Sequence, residues 1–296
     1  MTPELPEGGG RVRLGAVGYL NARPLVHGLD ADPRFALRFD VPAVCAQLLH
    51  QGAIDFGLIP AIESAREPDY AIVRDAAVAS FGPVDSVAIY TQKPLEQVTT
   101  LALDTSSRTS AALVRVLCRF HFGIAPTFQS VGPDIRDMLQ RCDAALLIGD
   151  PALFLDPASL GVEKIDLGEQ WTAFTGLPFV WAFWVGRRAQ GRPETLAALE
   201  GARRRGEAAL DEIARQHSQG DSARRARIER YLRESIHYDL DDRCEAGLRK
   251  YFELAGRIGI IPGGVAPQFF ERVSPATMVG ATAARMHDAG REGEGR

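Results

Sequence analysis

The residues best suited to chemistry near the start of the chain are a phenol, an amide and a guanidinium that follow a short apolar run. The run Val12–Val17 predicts a strand, and Tyr19, Asn21 and Arg23 lie in the turn after it. Open α/β sheets bind ligands at the carboxyl ends of their strands, so we interpret this turn as one wall of a small-molecule site. The same sequence also fits an ordinary strand-to-helix connection, because Gly18 and Asn21 both favour turns.

A second polar segment, Thr105–Ser110, opens a predicted helix that runs to Phe122. Five of its six residues carry a hydroxyl group, and the sixth is Arg108. A helix start has unpaired backbone N–H groups and the positive end of the helix dipole, so it suits a carboxylate or a phosphate. The residues expected to hold such an anion are Ser107, Arg108, Thr109 and Ser110. A heavily capped helix is the alternative, since one Ser or Thr at the N-cap is routine.

Three further segments are placed where they could line the same site. The strings GLIPA (Gly57–Ala61) and IGDPA (Ile148–Ala152) each end a strand with a proline positioned to begin a helix. Both bring backbone amides to the carboxyl end of a strand, although either could be only a tight connection. Ser86 comes just before the next predicted strand, at the expected mouth of the site. Asp55 and Glu63 flank the first string and are candidate acids or bases only where they point inward.

Composition and missing motifs disfavour several classes of protein. The chain has 296 residues, 46% of them hydrophobic, and a formal net charge of −4, which predicts a globular protein with neither a nucleic-acid nor a membrane partner. It contains no P-loop, no G-x-G-x-x-G after a strand, no H-E-x-x-H and no G-x-S-x-G elbow. Nucleotide-binding, zinc-hydrolase and esterase functions are therefore disfavoured. The four cysteines form no C-x-x-C pair and are expected to be buried thiols.

Strand-like and helix-like segments alternate through the first half of the chain, which predicts an α/β fold with helices covering sheets. The predicted strands are Arg13–Val17, Leu37–Val41, Phe56–Ile59, Ala71–Arg74, Val87–Thr91, Leu101–Leu103, Thr127–Gln129, Ala144–Ile148 and Phe179–Val185. The predicted helices among them are Pro24–Leu29, Ala43–Gln51, Thr109–Phe122 and Ile135–Arg141. Helical spacing then predicts a mostly helical last third, made of Pro193–His217, Ser222–Ser235 and Asp241–Arg257.

Two α/β units joined by two crossings predict a bilobed, hinged molecule with a ligand cleft between its lobes. The crossings are placed near Val87–Thr91 and Phe179–Val185. Domain 1 is predicted to comprise residues 11–91 and 186–280, and domain 2 residues 92–185. The segments 1–10 and 287–296 are rich in Gly and charged residues, the first also in Pro, and are predicted to be disordered.

The sequence also predicts where the protein works. No apolar run approaches the ~20 residues that a membrane span needs. The first ten residues lack the charged and then apolar pattern of a secretory signal. We therefore expect a cytoplasmic protein, and nothing in the sequence indicates its oligomeric state.

Five strings occur in an order and spacing that resemble one known family. They are GAVGYLNARPL (Gly15–Leu25), DFGLIP (Asp55–Pro60), LDTSSRTS (Leu103–Ser110), LLIGDPAL (Leu146–Leu153) and TGLPFVWAFW (Thr175–Trp184). Over about residues 11–278 the chain resembles the menaquinone-biosynthesis chorismate dehydratases of the futalosine route. The resemblance implies a periplasmic-binding-protein-like fold of type II, with two α/β domains and a ligand cleft at the hinge. The chain departs from the family's pattern at Gly18, where a serine is more usual.

The resemblance also implies an activity. Such an enzyme is a carbon–oxygen lyase that removes water from chorismate to give 3-[(1-carboxyvinyl)oxy]benzoate, the first step of that route. It implies a small dicarboxylate substrate and no metal or organic cofactor. The implied catalytic residues are Asn21, at the reacting end, and Ser86. The implied substrate-binding residues are Tyr19, Pro60, Ser107, Arg108, Thr109, Ser110, Gly149 and Asp150.

The matched motifs contain no strong general base, because the amide of Asn21 is a poor one. We therefore expect the substrate's own side-chain carboxylate to take the proton from ring carbon C3 while Asn21 positions it. Two other functions stay open. One is a binding protein that captures a small carboxylate without reaction, since fold does not fix function. The other is the sister 1,4-dihydroxy-6-naphthoate synthase, which should carry a positioned histidine base.

Overall fold

The strands of the described residues form two sheets of five strands each. The computed structural model describes residues 10–272. The first sheet has the order β2-β1-β3-β10-β4, with β1 Val12–Val17, β2 Phe35–Asp40, β3 Phe56–Pro60, β4 Tyr70–Ser80 and β10 Phe179–Arg187. The second has the order β7-β6-β8-β5-β9, with β5 Val87–Thr91, β6 Thr100–Asp104, β7 Thr127–Val131, β8 Ala144–Ile148 and β9 Glu163–Asp166.

Helices connect and cover these sheets. The α-helices are α1 Pro42–His50, α2 Arg108–Leu117, α3 Ile135–Arg141, α4 Gly149–Phe154, α5 Leu167–Thr175, α6 Pro193–Ala208, α7 Leu210–His217, α8 Ser222–Arg230 and α9 Asp242–Arg257. Short 3-10 helices occupy Leu20–Val26, Ala61–Ala65, Leu95–Gln97, Pro157–Leu160 and Arg188–Gln190, and π-helical turns occupy Cys118–Phe122 and Tyr231–Ser235. None of the helices within residues 10–272 is long and apolar enough to cross a membrane.

The two sheets share one topology. In each, three parallel strands are followed by an antiparallel strand and then by an edge strand that is antiparallel to it. The carboxyl ends of β1 and β3 in one lobe, and of β6 and β8 in the other, lead into segments that line one pocket between the lobes. This is where open α/β sheets place their ligands.

The chain crosses between the lobes just outside the predicted positions. Strand β5 pairs only with strands of the second sheet and β10 only with strands of the first, so the crossings are residues 81–86 and the segment near 176–178. The predicted borders at 91/92 and 185/186 place each of these strands with the wrong sheet. Both strands are almost uniformly buried. A strand buried on both faces has an apolar sequence throughout, and such a sequence does not show in which of two sheets the strand lies. Residues 273–280 and the predicted disordered segments, Gly10 excepted, lie outside the described residues.

Other differences from the predicted elements have local causes. Strand β4 continues to Ser80 instead of ending at Arg74. The backbone leaves the extended conformation at Asp75, where φ is 54°, and the strand then resumes. Strand β9 was missed because it is a short edge strand in which only Asp166 is buried. The long predicted helix 193–217 is two helices, α6 and α7, that meet at Ala209.

Helix α9 contacts both lobes. It packs against β10 of the first lobe and α2 of the second. The hydroxyl of its fully buried Tyr251 donates to the backbone oxygen of Thr109, 3.0 Å away. The Tyr251 ring meets Trp171 and Phe179 edge to face, with centroids 6.1 and 4.8 Å apart, which is a favourable geometry for aromatic pairs. The hydrophobic core therefore continues across the hinge.

Candidate active site

A pocket between the lobes gathers the polar segments that the sequence singles out. In this arrangement of the lobes its cavity has a volume of about 50 Å³, which is room for a few water molecules. Six of the ten predicted site residues line it: Tyr19, Asn21, Pro60, Ser107, Ser110 and Gly149. The remaining lining is apolar, mainly Val, Ile, Leu, Ala and Trp181. Within the described part of the chain, no Asp, Glu, His, Lys or Arg lines this pocket.

The first wall is the 3-10 helix Leu20–Val26, which begins directly after β1. It places the partly buried Asn21 side chain in the pocket. Asn21 is the only asparagine in the whole sequence. Its side chain interacts with the hydroxyl of the buried Tyr231, which in turn lies 2.8 Å from Oγ of Ser86. Ser86 is thus linked to Asn21 through Tyr231, although it does not itself line the pocket.

Tyr19 reaches across the cleft to the other lobe. Its ring lies over Gly149, where a Cβ atom would be 2.7 Å from the ring. Gly149 also has φ 71°, a backbone conformation that side chains disfavour. Burial raises the pKa of the Tyr19 phenol, so Tyr19 stays a neutral hydrogen-bonding group. A glycine is therefore required at position 149, both for the backbone conformation and for the close contact with the Tyr19 ring.

The second wall is the start of helix α2. Ser107 is its N-cap: its Oγ accepts from the backbone N–H of Ser110 at 3.3 Å and lies 2.9 Å from the Ser110 hydroxyl. Both serines are almost fully buried and line the pocket. The helix cannot itself satisfy the N–H groups of its first turn. One end of the pocket thus offers hydroxyls and a helix dipole to an anion.

Three predicted substrate-binding residues do not line the pocket and instead tie the lobes together. The carboxylate of Asp150 accepts from the backbone N–H of Leu20 at 3.0 Å, and Oγ1 of Thr109 accepts from that of Ile62 at 3.1 Å. The guanidinium of Arg108 pairs with Glu63 of the other lobe at 2.7 Å. Short polar side chains at a strand end fit either role, and the sequence alone does not show which neighbour they meet. In this structure the lobes are closed on each other.

Glu63 is the centre of an ionic cluster that includes one ion pair between the lobes. It is fully buried and contacts His50 at 2.9 Å, Arg66 at 2.8 Å and Arg108 at 2.7 Å. Burial alone would raise the pKa of Glu63, but the hydrogen bond from His50 and the charges of the two arginines outweigh it and hold the pKa below its usual value. Glu63 is therefore ionised at neutral pH. Because its carboxylate is already paired with His50, Arg66 and Arg108, it is poorly suited to act as a base.

We expect Arg108→Ala to raise KM by about 3- to 10-fold with a smaller change in kcat, since it removes one ion pair that favours the closed form. Steady-state kinetics check this, with the exposed Arg119→Ala as the control. If Arg108 acts only by pairing with Glu63, Glu63→Gln should raise KM by the same factor. A KM that rises for Arg108→Ala but not for Glu63→Gln would instead mean that Arg108 contacts the substrate.

One buried carboxyl lies close to the pocket without lining it. Asp104 ends strand β6 and is 1% exposed. Its Oδ1 accepts from the backbone N–H of Ser106 at 2.8 Å, whereas its Oδ2 has no hydrogen-bond partner. Burial raises the pKa of Asp104. Asp104 is a candidate general base that sequence reasoning did not consider.

Comparison with known proteins decides the family. The family model described as menaquinone biosynthesis matches residues 12–257. A chorismate dehydratase from Thermus thermophilus is 30% identical over 260 residues, which cover 82% of this chain and 94% of the relative. The chain belongs to this menaquinone-biosynthesis family. The sequence resemblance is thereby confirmed over most of the described residues.

Solved structures show the fold of this family member. A Candida albicans protein described as having the generic periplasmic binding protein fold aligns with a TM-score of 0.61, 12% identity and coverage of 89% of this chain and 99% of that one. The alkanesulfonate-binding protein of Xanthomonas axonopodis pv. citri, bound to MOPS, aligns with a TM-score of 0.58, 18% identity and coverage of 87% and 96%. The predicted periplasmic-binding-protein-like fold is confirmed.

Sequence reasoning missed two features of the candidate site, Tyr231 and the ion pair between Glu63 and Arg108. Tyr231 comes from the helical last third, more than 200 residues after Asn21. In the sequence it is one apolar position of an amphipathic helix, and no local signal marks its hydroxyl. From the sequence alone, Glu63 is only a candidate acid or base near the end of a strand. The pairing of Glu63 with Arg108 of the other lobe cannot be predicted from spacing.

Proposed function

We propose that this chain removes water from chorismate to form 3-[(1-carboxyvinyl)oxy]benzoate, at the entry to menaquinone biosynthesis. The observation that carries the proposal is the pocket itself, which has hydrogen-bonding groups at both ends and, among residues 10–272, no ionisable lining side chain except Tyr19. Such a lining can hold and orient a dicarboxylate but offers it no base. The family and the chorismate dehydratase relative support the same activity.

The two walls take different parts of the substrate. The hydroxyls of Ser107 and Ser110 and the N–H groups at the start of α2 bind one carboxylate. Asn21 and Tyr19, on the facing wall, hydrogen-bond the reacting end, where the hydroxyl on C4 leaves. The apolar lining packs against the ring and excludes water, which strengthens each of these polar contacts. Arg108, Thr109 and Asp150 hold the lobes around the substrate instead of touching it.

The reaction needs little more than orientation. The bond from C3 to hydrogen breaks, its electron pair forms the third ring double bond, and the bond from C4 to oxygen breaks. The substrate's own side-chain carboxylate takes the C3 proton and then gives it to the departing hydroxide, which leaves as water. Aromaticity of the product drives the step. Asn21 holds the carboxylate and the hydroxyl in the reactive arrangement, which is proximity catalysis.

Asp104→Asn tests whether a protein carboxylate is the base. Asn keeps the size of the side chain and an oxygen that accepts from the Ser106 N–H. A substrate-assisted reaction should keep kcat within about 3-fold of the unsubstituted enzyme. Single-turnover kinetics with chorismate measure this. A loss of about 100-fold or more, the size expected for removal of a general base, would make Asp104 the base and refute substrate assistance.

The activity itself is tested by incubating the protein with chorismate. We expect a new aromatic absorbance band together with a product lighter than chorismate by one water in mass spectrometry. The structural neighbours include an alkanesulfonate-binding protein, and tight binding of chorismate without that band would favour a binding protein. No histidine lines the pocket within residues 10–272, which disfavours the sister synthase with its histidine base.

A further inference from the structure

The π-helical turn Tyr231–Ser235 fastens the first crossing to the first wall of the pocket. Tyr231 is 2% exposed, and its hydroxyl lies 2.8 Å from Oγ of Ser86 while also interacting with Asn21. Four residues later, Oγ of Ser235 donates to the carboxylate of Asp85 at 2.8 Å. Isolated π-helical turns often occur at functional sites. The turn therefore contacts two consecutive residues of the crossing, Asp85 and Ser86, and one pocket residue, Asn21.

The surroundings of the Tyr231 hydroxyl make it a fixed point. A phenol has one proton and two acceptor positions, so it can bond to Ser86 and to Asn21 together. Burial raises the pKa of Tyr231, so the phenol remains neutral. Ser86 is itself anchored, because its backbone oxygen accepts from the N–H of Gly149 at 2.8 Å. Asn21 is partly buried and lines the pocket, and its side chain interacts with the Tyr231 hydroxyl.

Tyr231 also depends on the closed arrangement of the lobes. Its partner Ser86 lies between the lobes, next to Asp85, which has φ 64°. A non-glycine residue held in that conformation is strained and needs support from its surroundings. The side chain of Lys164, from the second lobe, supplies some by donating to the Asp85 backbone oxygen at 2.8 Å. Tyr231 therefore joins Asn21 to a segment whose shape both lobes determine.

We propose that Tyr231 is a positioning residue, whose hydroxyl holds the Asn21 amide in the orientation that the dehydration needs. This inference rests on the proposed function, because it is Asn21 that contacts the reacting end. Tyr231 does not line the pocket, so we expect it to make no contact with the substrate. Its contribution lies in the rate of the chemical step and not in substrate affinity.

The chain offers a matched pair of variants. Tyr238 is also buried, but its hydroxyl has no hydrogen-bond partner in the part of the chain that the structure describes. Tyr231→Phe and Tyr238→Phe therefore each delete one buried hydroxyl, and only the first deletion reaches Asn21. We expect Tyr231→Phe to lower kcat by about 10-fold, the value of one neutral hydrogen bond, with KM changed by less than about 3-fold. Tyr238→Phe should leave both constants unchanged.

A spectroscopic measurement reads Asn21 directly. Because Asn21 is the only asparagine, protein labelled with ¹⁵N-asparagine gives a single side-chain NH₂ pair by NMR. In the ligand-free protein, Tyr231→Phe should move this pair toward the shifts of a free amide, and Tyr238→Phe should not. Should Tyr231→Phe fail to fold, the Tyr231→Phe/Ser86→Ala variant leaves neither hydroxyl unpaired. Compared with Ser86→Ala alone, it carries the same expectation for the NH₂ pair.

The inference is overturned when the Asn21 NH₂ pair is the same in both variants, or when Tyr231→Phe keeps kcat within 2-fold. A rise in KM at constant kcat also overturns it, since that is the behaviour of a binding residue. The NMR result does not depend on turnover. A protein that makes no aromatic product therefore refutes the proposed function, whereas an unmoved NH₂ pair refutes the role of Tyr231.

Discussion

Asn21→Ala is expected to lower kcat for chorismate by about 100- to 1,000-fold, the size of effect seen when one preorganised hydrogen-bond donor at a reacting centre is removed. Asn21 is the one amide side chain that lines the pocket within residues 10–272. No lining acid or base stands ready to replace it. KM and Tm should change little, because the side chain is small and only partly buried.

Two comparisons sharpen this result. Asn21→Asp keeps the size but adds a negative charge opposite a dianionic substrate, so it should be at least as damaging and should also raise KM. Thr105→Ala deletes an exposed hydroxyl beside α2 and serves as the control with unchanged kinetics. Turnover by Asn21→Ala within about 3-fold of the unsubstituted enzyme would remove Asn21 from the mechanism.

Gly206→Ala should damage both stability and activity, through a residue far from the substrate. Helix α6 packs against the 3-10 helix that carries Asn21, and a Cβ atom on Gly206 would overlap the backbone of Pro24 in that helix. Backbone cannot rotate aside as a side chain can. We expect a loss of about 2–4 kcal/mol in the free energy of unfolding, at or above the upper end for an overpacked core, and a lower kcat because Asn21 moves with Pro24.

The same helix supplies the control. A Cβ atom on Gly201 meets only the flexible end of Arg205, at 3.1 Å. Since alanine is the better helix former by about 1 kcal/mol, Gly201→Ala should leave stability unchanged or raise it. Urea unfolding and chorismate kinetics measure both variants. Equal stability of the two variants would mean that α6 is not pressed against the 3-10 helix as described.

Local patterns predicted those parts of the site in which chemistry and backbone coincide. Strand β1 and the turn with Asn21, and the hydroxyl-rich start of α2, are contiguous in sequence, and both line the pocket. Each needs only a strand end or a helix start, which short-range signals report. The paired lobes also follow from alternating strands and helices.

The rest of the site depends on contacts between distant residues. Arg108 and Asp150 look like ligands in the sequence, yet they contact Glu63 and the Leu20 N–H of the facing lobe. Tyr231 looks like a core residue, yet its hydroxyl reaches Ser86. A side chain's partner is set by how the lobes close, and neither periodicity nor composition carries that information.

A crystal structure of the protein with bound 3-[(1-carboxyvinyl)oxy]benzoate tests the central claim most directly. We expect the product in the pocket between the lobes, with one carboxylate at the start of α2 within hydrogen-bond distance of Ser107 and Ser110. The ether end should lie within hydrogen-bond distance of the Asn21 amide, and Arg108 should still be paired with Glu63. Product bound outside this pocket, or paired with Arg108 and far from Asn21, would contradict the account.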